Sequence, residues 1–411
     1  MNEPVFITGV GALGPWGAGS GRLAEALAAG SPLAVEIDRS AGYHLPEGAR
    51  WACLVPPGQL GDLLSPGEAR RMSPPSKLAV AAARQALRCA GLEDSRTGTD
   101  EHGTAVVIAT AFGPSTNTEG LLKQILCEGP ESASPSLFTE SVANAPAAQI
   151  AIALKARGAS LTLCQREAGP LLALGRGSAE IAAGRARRVL AGGVDEMTPL
   201  LHALLDRFGA LARGEELARP FDRRRNGFLA GEGATVVVLE GERTLRERGG
   251  RALARVLAWG SAFDPTAPPT GWGTGLRSHR ALARGLRRTL ERASLGPSDV
   301  DLIVSGASGS REGDRLEAEV LRAVWEGSPL PPVAAPKAVT GEYGGGFLGS
   351  AVLAAAGSPL GPTPGFTEPD PALGIVPLDG SPMPPPSVVL ATTLAAGGAA
   401  AWVVLGKEGL G

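Results

Sequence analysis

The sequence predicts an α/β protein with a largely covered sheet, built as two similar halves. Three observations lead there. Short β-prone apolar runs alternate with Ala- and Leu-rich helical stretches along all 411 residues. The later part of the chain repeats the pattern of the earlier part. Hydrophobic residues make up 44% and charged residues 19%, which supports a sizeable core and excludes wholesale disorder.

In chain order, residues 5–8 read as a strand, followed by a glycine-rich turn and a helix around 22–28. Residues 77–90 are Ala-rich and helical, and 104–109 form a strand. Residues 142–154 and 171–183 read as buried helices, and 189–190 and 235–240 as strands. The pattern then restarts. Residues 255–259 are a strand before a glycine turn, 278–293 an amphipathic helix, 301–304 a strand and 315–325 a helix. The charged stretch 243–251 divides the halves, giving residues 1–245 and 250–411, as an internal duplication would. The proline-rich segments 358–371 and 377–386 are loops.

Composition excludes several function classes. Lys and Arg number 39 against 41 Asp and Glu, so the net charge of −2 offers no global attraction to nucleic acid or to an anionic membrane. Cys53, Cys89, Cys127 and Cys164 are too scattered for a disulfide framework or a CxxC pair. His44, His102, His202 and His279 are equally dispersed, so no zinc site is expected. Free thiols and an N-terminus without a signal-peptide pattern predict a cytoplasmic protein. Residues 387–406 carry no charge, but Gly397-Gly398 divides two short β-prone runs, so a strand pair is expected rather than a membrane span.

Gly9-Val10-Gly11-Ala12-Leu13-Gly14 matches GxGxxG after a strand, with Glu36 and Asp38 near the spacing of a ribose-binding acid. A dinucleotide-binding oxidoreductase is therefore one alternative. Pro15 and Trp16 oppose it, because the phosphate-binding helix should already run there and proline lacks the donor. The plainer reading is a flexible strand-to-helix turn.

The most specific stretch is Arg219-Pro220-Phe221-Asp222-Arg223-Arg224-Arg225-Asn226-Gly227-Phe228-Leu229-Ala230-Gly231-Glu232-Gly233-Ala234. It resembles the RPFD-x-x-R-x-GF-x-x-GEGA signature of β-ketoacyl synthases, the condensing enzymes of fatty-acid and polyketide synthesis. Phe6-Ile7-Thr8-Gly9-Val10-Gly11 is similar to their opening strand. Ser141-Val142-Ala143-Asn144-Ala145-Pro146 and then Gly158-Ala159-Ser160-Leu161-Thr162 resemble the approach to their nucleophile, and Ala191-Gly192-Gly193-Val194 the strand after it. The resemblance spans nearly the whole chain. It implies a thiolase fold with two duplicated ketosynthase-like halves in five α-β-α-β-α layers, normally dimeric, with no cofactor and no metal.

The family's chemistry uses a cysteine at a helix N-terminus, which takes up the acyl chain, and two histidines that assist decarboxylation and stabilise the oxyanion. Aligned without a gap, Glu167 stands at the cysteine position, in Gly158-Ala159-Ser160-Leu161-Thr162-Leu163-Cys164-Gln165-Arg166-Glu167. Gly306 replaces the first histidine, with Gly313-Asp314 keeping the register, and Lys337-Ala338-Val339-Thr340-Gly341-Glu342 keeps the lysine and puts Glu342 at the second. Ala395-Ala396-Gly397-Gly398-Ala399-Ala400 keeps a double glycine without the family's phenylalanine and asparagine.

No catalytic residue is therefore expected. The pattern resembles the chain length factor, the ketosynthase-like partner in type II polyketide synthases. Lys337-Ala338-Val339-Thr340-Gly341 and Gly344-Gly345-Gly346 are similar to a stretch of that subfamily, whose usual glutamine at the cysteine position is Glu167 here. The resemblance implies a heterodimer with an active ketosynthase. Its dimer face would lie around residues 142–154 and 161–174, the acyl carrier protein would be met through the complex, and the pathway would be of polyketide, polyene or fatty-acid type. The enzymatic alternative is an acyltransferase or decarboxylase with a site rebuilt from Glu167, Cys164 or Lys337.

Taken singly, Cys164 reads as a buried inert thiol and Glu167 as a helix cap or an ion partner of Arg166. Lys337 reads as a fold-stabilising donor, and the signature from Arg219 as structural. His202 and His279 read as solvated helix-surface residues, and Arg223-Arg224-Arg225 as a solvated run that could contact a carrier protein.

Overall fold

The computed structural model describes residues 3–92, 103–214, 217–343 and 345–407. His102 and Gly344 lie outside the described residues. A continuous mixed sheet runs in the order Val333–Ala334, Leu302–Ser305, Val388–Leu394, Ala399–Gly406, Ala254–Phe263, Val5–Gly14, Gly233–Gly241, Arg188–Asp195, Thr104–Ala109 and Ser160–Leu163. The two ends of this path have the same topology. Thr104–Ala109 lies parallel to both of its neighbours, and antiparallel pairings lead from Arg188–Asp195 through Gly233–Gly241 to Val5–Gly14. Leu302–Ser305 likewise lies parallel to both neighbours, and antiparallel pairings lead from Val388–Leu394 through Ala399–Gly406 to Ala254–Phe263. The ends join through the antiparallel pairs Val5↔Val256, Phe6↔Arg255 and Ile7↔Ala254.

Alternating side chains of each strand feed different cores. Val107 and Val237 from one half, and Val389 and Val403 from the other, enclose the helices Gly169–Ala182 and Gly346–Ala355 in a central core. Val106, Ile108, Val236 and Val238 face outward onto the helices Pro74–Cys89 and Ala145–Leu154. Ile303, Leu390, Trp402 and Val404 face the helices Leu276–Arg292 and Arg311–Val324. The result is the five-layer α-β-α-β-α thiolase-like arrangement. Because the sheet is covered on both faces, its strands read as continuous apolar runs.

Several elements depart from the sequence expectation. The glycine-rich turn after residue 8 is strand as far as Gly14. Its backbone pairs with the strand Gly233–Gly241, for example Val10↔Val237, so no phosphate cradle or helix N-terminus exists at Gly9 to Gly14. The glycines serve close packing: a Cβ on Gly9 would lie 2.2 Å from the Ala86 carbonyl oxygen, and one on Gly11 would lie 2.0 Å from that of Ala82. The strand expected at 255–259 also runs through its glycine, to Phe263. Residues 388–406 form the expected strand pair, and among the described residues no helix is long and apolar enough to cross a membrane.

Cys164 is exposed rather than buried, because it follows the short edge strand Ser160–Leu163, which has no neighbour on its outer side among the described residues. His202 is fully buried rather than solvated. Its Nδ1 lies 3.0 Å from His44 Nε2 and its Nε2 lies 3.2 Å from the Trp51 carbonyl oxygen. Burial holds both imidazoles below the usual histidine range. His279 is only partly covered on its helix. Leu171 and Leu174, placed within the expected dimer face, are enclosed in the central core.

Candidate functional site

The site lies where strand ends from both halves converge. From the edge strand the chain passes through the tight turn Arg166–Ala168 directly into the central helix Gly169–Ala182. Arg166 takes a left-handed backbone (φ 43°), uncommon for a residue with a side chain, and this bends the chain sharply before Glu167. The Glu167 carbonyl accepts a hydrogen bond from Thr393 Oγ1 at 3.1 Å. Its side-chain Oε2 is buried and has no hydrogen-bond partner.

Lys337 opens a single buried helical turn, and its side chain is 1% exposed. Its Nζ donates to Glu342 Oε2 at 2.7 Å and stands 4.9 Å from the centre of the Phe347 ring. Glu342 is fixed through its backbone. Its N–H donates to the Leu229 carbonyl (2.8 Å) and its own carbonyl accepts from the Gly231 N–H (3.0 Å), both within the signature segment.

Gly306 follows the strand Leu302–Ser305, and its N–H donates to the Thr392 carbonyl at 2.7 Å. A Cβ there would lie 2.8 Å from Thr393 Oγ1 and 2.9 Å from the Thr392 carbonyl oxygen, so a side chain requires this segment to shift. The structure thus gathers Glu167, Lys337 and Glu342, with Gly306 packed behind them against Thr393.

Burial dominates the electrostatics. It pushes the Glu167 carboxyl upward, against the attraction of Lys337 and Arg166. Glu342 is pushed up to about 7 by burial, which the Lys337 ammonium opposes and the neighbouring Glu167 reinforces. A third carboxyl, Glu317, lies deeper and accepts from Ser305 Oγ at 2.7 Å. It is pushed up to about 8, chiefly by burial.

Glu167 and Glu342 line a cavity of about 540 Å³ whose walls include Leu201, Leu205, Phe228 and Trp272. Leu204 and Phe208, both exposed, stand at its mouth. No cysteine or histidine is among its described lining residues. Cys164 lies outside it, and Cys53 is buried against Gly341 with its thiol pushed up to about 12 by burial.

Apart from Asn226, Gly227 and Phe228, which reach the cavity, the signature segment is scaffold. Asp222 accepts from the N–H groups of Thr367 and Glu368, each at 2.7 Å, and of Arg224 at 2.8 Å. Phe221, fully buried with a left-handed backbone, donates its N–H to Asp314 at 2.8 Å. Glu232 accepts from the N–H groups of Val55 (2.9 Å) and Met197 (3.2 Å). The arginine run divides: Arg223 and Arg224 are exposed as expected, but Arg225 is buried and pairs with Asp370 at 2.7 Å. Sequence reasoning missed Glu317, Thr393 and the role of the cavity wall. The signals for the wall were the apolar spacing of Leu201, Leu204, Leu205 and Phe208, and Phe228 of the signature segment.

Residues 2–244 match the model of the "Beta-ketoacyl synthase, N-terminal domain", and residues 271–356 that of its C-terminal domain. The chain belongs to the β-ketoacyl synthase family. Its relatives include both subunit types of type II polyketide synthases. The "Tetracenomycin polyketide synthase ketoacyl synthase beta subunit" of Streptomyces glaucescens is 32% identical over 383 residues, 90% of each chain. The alpha subunit from the same organism is 30% identical over 390 residues, covering 89% of this chain and 88% of the relative. The solved structure "The ishigamide ketosynthase/chain length factor" superposes with a TM-score of 0.89 at 29% identity, covering all of both chains. Overall identity therefore does not separate the subunit types.

Proposed function

We propose that this chain is a chain length factor-like subunit, catalytically silent by itself. It pairs with an active ketosynthase in the cytoplasm and shapes the tunnel in which the partner's acyl chain grows. The observation that carries this reading is the carboxyl pair Glu167 and Glu342 beside the Lys337 ammonium, where the family places a thiol and an imidazole. A carboxylate forms no thioester, and two carboxyls oppose rather than stabilise an oxyanion. Residues 1–245 and 250–411 are taken as the two ketosynthase-like halves. The repeated strand order and the separate N- and C-terminal family matches support this division.

A partner is supported by exposed apolar side chains between residues 112 and 152. Phe112, Leu122, Leu126, Phe138 and Ile152 all lie open to solvent, Leu126 at 81%. Monomeric proteins seldom expose so much in one stretch. The nearby edge strand Ser160–Leu163 also lacks an outer neighbour among the described residues. The test is co-expression with a ketosynthase of a type II polyketide synthase. The two chains are expected to co-purify, and product mass is expected to change when cavity or interface residues of this chain are altered. A ketosynthase that makes the same product without this chain would refute the reading.

One observation favours a second reading. The cavity still reaches Glu167 and Glu342, as acyl transfer or decarboxylation by a rebuilt site would require. Carbon dioxide release from malonyl-carrier protein by the isolated chain, lost in Glu167→Gln, would establish decarboxylation. An acyl adduct lost in Cys164→Ala would establish a relocated nucleophile.

A further inference from the structure

The helix Leu276–Arg292 on the outer layer carries Arg277, Arg280, Arg284, Arg287, Arg288 and Arg292 against one acid, Glu291. All six arginines are exposed, and none forms an ion pair among the described residues. Several arginines elsewhere are paired with acids: Arg188 and Arg248 share Glu240, Arg213 binds Asp206, and Arg225 binds Asp370. The sequence contradicts helix electrostatics twice. There is no acid in the first turn, where Arg277 meets the positive end of the dipole, whereas the neighbouring helix Arg311–Val324 begins with Glu312 and Asp314. Arg280, Arg284, Arg288 and Arg292 also follow one another at four-residue intervals, and each such like-charge pair destabilises the helix. Among the described residues these arginines find only carbonyl partners, Ala323 for Arg287 and Trp259 for Arg292 (3.2 Å).

These two helices flank an open groove of about 770 Å³. Arg280, Arg284 and Arg287 form a row along one wall, Arg322 stands on the other, and Ala283 and Ala323 lie between them. Arg287 donates to the Ala323 carbonyl, and Arg322 to that of Ala372 at 2.8 Å. The opposite wall also bears Glu319, whose Oε2 is 3.5 Å from His279 Nδ1, and Glu326.

We propose that the row of Arg280, Arg284 and Arg287 docks an acidic helix of a partner protein. The row extends about 10 Å along the helix, the span of carboxylates spaced four and then three residues apart on a facing helix. Guanidinium groups bind such carboxylates bidentately, and the alanine floor admits close backbone approach. A net charge of −2 over the whole chain gives no basic footprint for a phosphate backbone, which favours a protein helix over a nucleic acid. The surface is distinct from the cavity at Glu167 and does not depend on whether the chain is catalytic.

The test uses the full chain and a fluorescent helical peptide of about four turns with glutamates along one face, beside the same peptide with glutamines. Anisotropy is expected to show the glutamate peptide binding roughly tenfold more tightly, with affinity falling as salt is raised. R280E/R284E is expected to reduce that affinity tenfold or more. R280Q/R284Q should reduce it less, and R246E, on an exposed helix elsewhere, should leave it unchanged, with far-UV dichroism the same throughout. Equal binding of the two peptides, or full affinity in R280E/R284E, overturns the proposal. Displacement of the peptide by single-stranded RNA at lower concentration than by unlabelled peptide overturns the choice of a protein partner.

Discussion

Glu317→Gln should stabilise this protein, and increasingly so as pH rises. Glu317 lies inside the helix Arg311–Val324, is 2% exposed, and accepts the Ser305 hydroxyl at 2.7 Å. Burial pushes its carboxyl from 4.5 up to about 8, opposed by the Ser305 hydroxyl, reinforced by Asp314 and opposed again by Lys337. A carboxyl with a folded pKa above its unfolded value leaves stability undiminished below about 4.5. It then removes stability as pH rises, until about 8, and nothing further above that. At about 1.4 kcal/mol per pH unit, the loss is about 3 kcal/mol at neutral pH and about 5 kcal/mol above pH 8. Glutamine keeps an acceptor for Ser305 and cannot ionise. Urea unfolding of wild type and Glu317→Gln at pH 5, 7 and 9 should therefore give curves that nearly coincide at the acid end and separate toward the alkaline end. Asp314 and Glu342, pushed up to about 6 and about 7, make the wild-type profile fall in the same window, so the difference between the proteins isolates Glu317. Parallel profiles, or a less stable variant at alkaline pH, would refute the reasoning.

Three further outcomes follow from the same structure. Lys337→Met removes the cation that acts on both Glu342 and Glu167 and should cost about 3 kcal/mol or more in denaturant unfolding, with a larger loss at pH 8 than at pH 5, where the carboxyls can protonate. Gly11→Ala places a methyl 2.0 Å from the Ala82 carbonyl oxygen and should lower stability by about 1–3 kcal/mol, read as a drop in Tm. Iodoacetamide should modify exposed Cys89, Cys127 and Cys164 in the native protein and reach buried Cys53 only after denaturation, as intact mass will show.

Much of this protein is legible in the chain before it folds. Covered strands such as Thr104–Ala109 are apolar on both faces, so their alternation with helices announces the fold class. Linear motifs fix where Glu167, Gly306, Lys337 and Glu342 fall, because each is held to a neighbouring glycine or strand by local spacing. What the chain conceals is distance. Only folding reveals that Lys337 Nζ touches Glu342, that Gly306 and Glu167 both meet Thr393, and that Glu317 is driven toward neutrality. The same limit explains the misread residues. Gly9 and Gly11 look like a phosphate loop until the helix Pro74–Cys89 presses against them. His202 looks solvated until His44, 158 residues away in sequence, closes over it. Periodicity and spacing are local quantities carried by the sequence, whereas burial and charge coupling depend on which distant segments arrive together, and only the tertiary structure decides that.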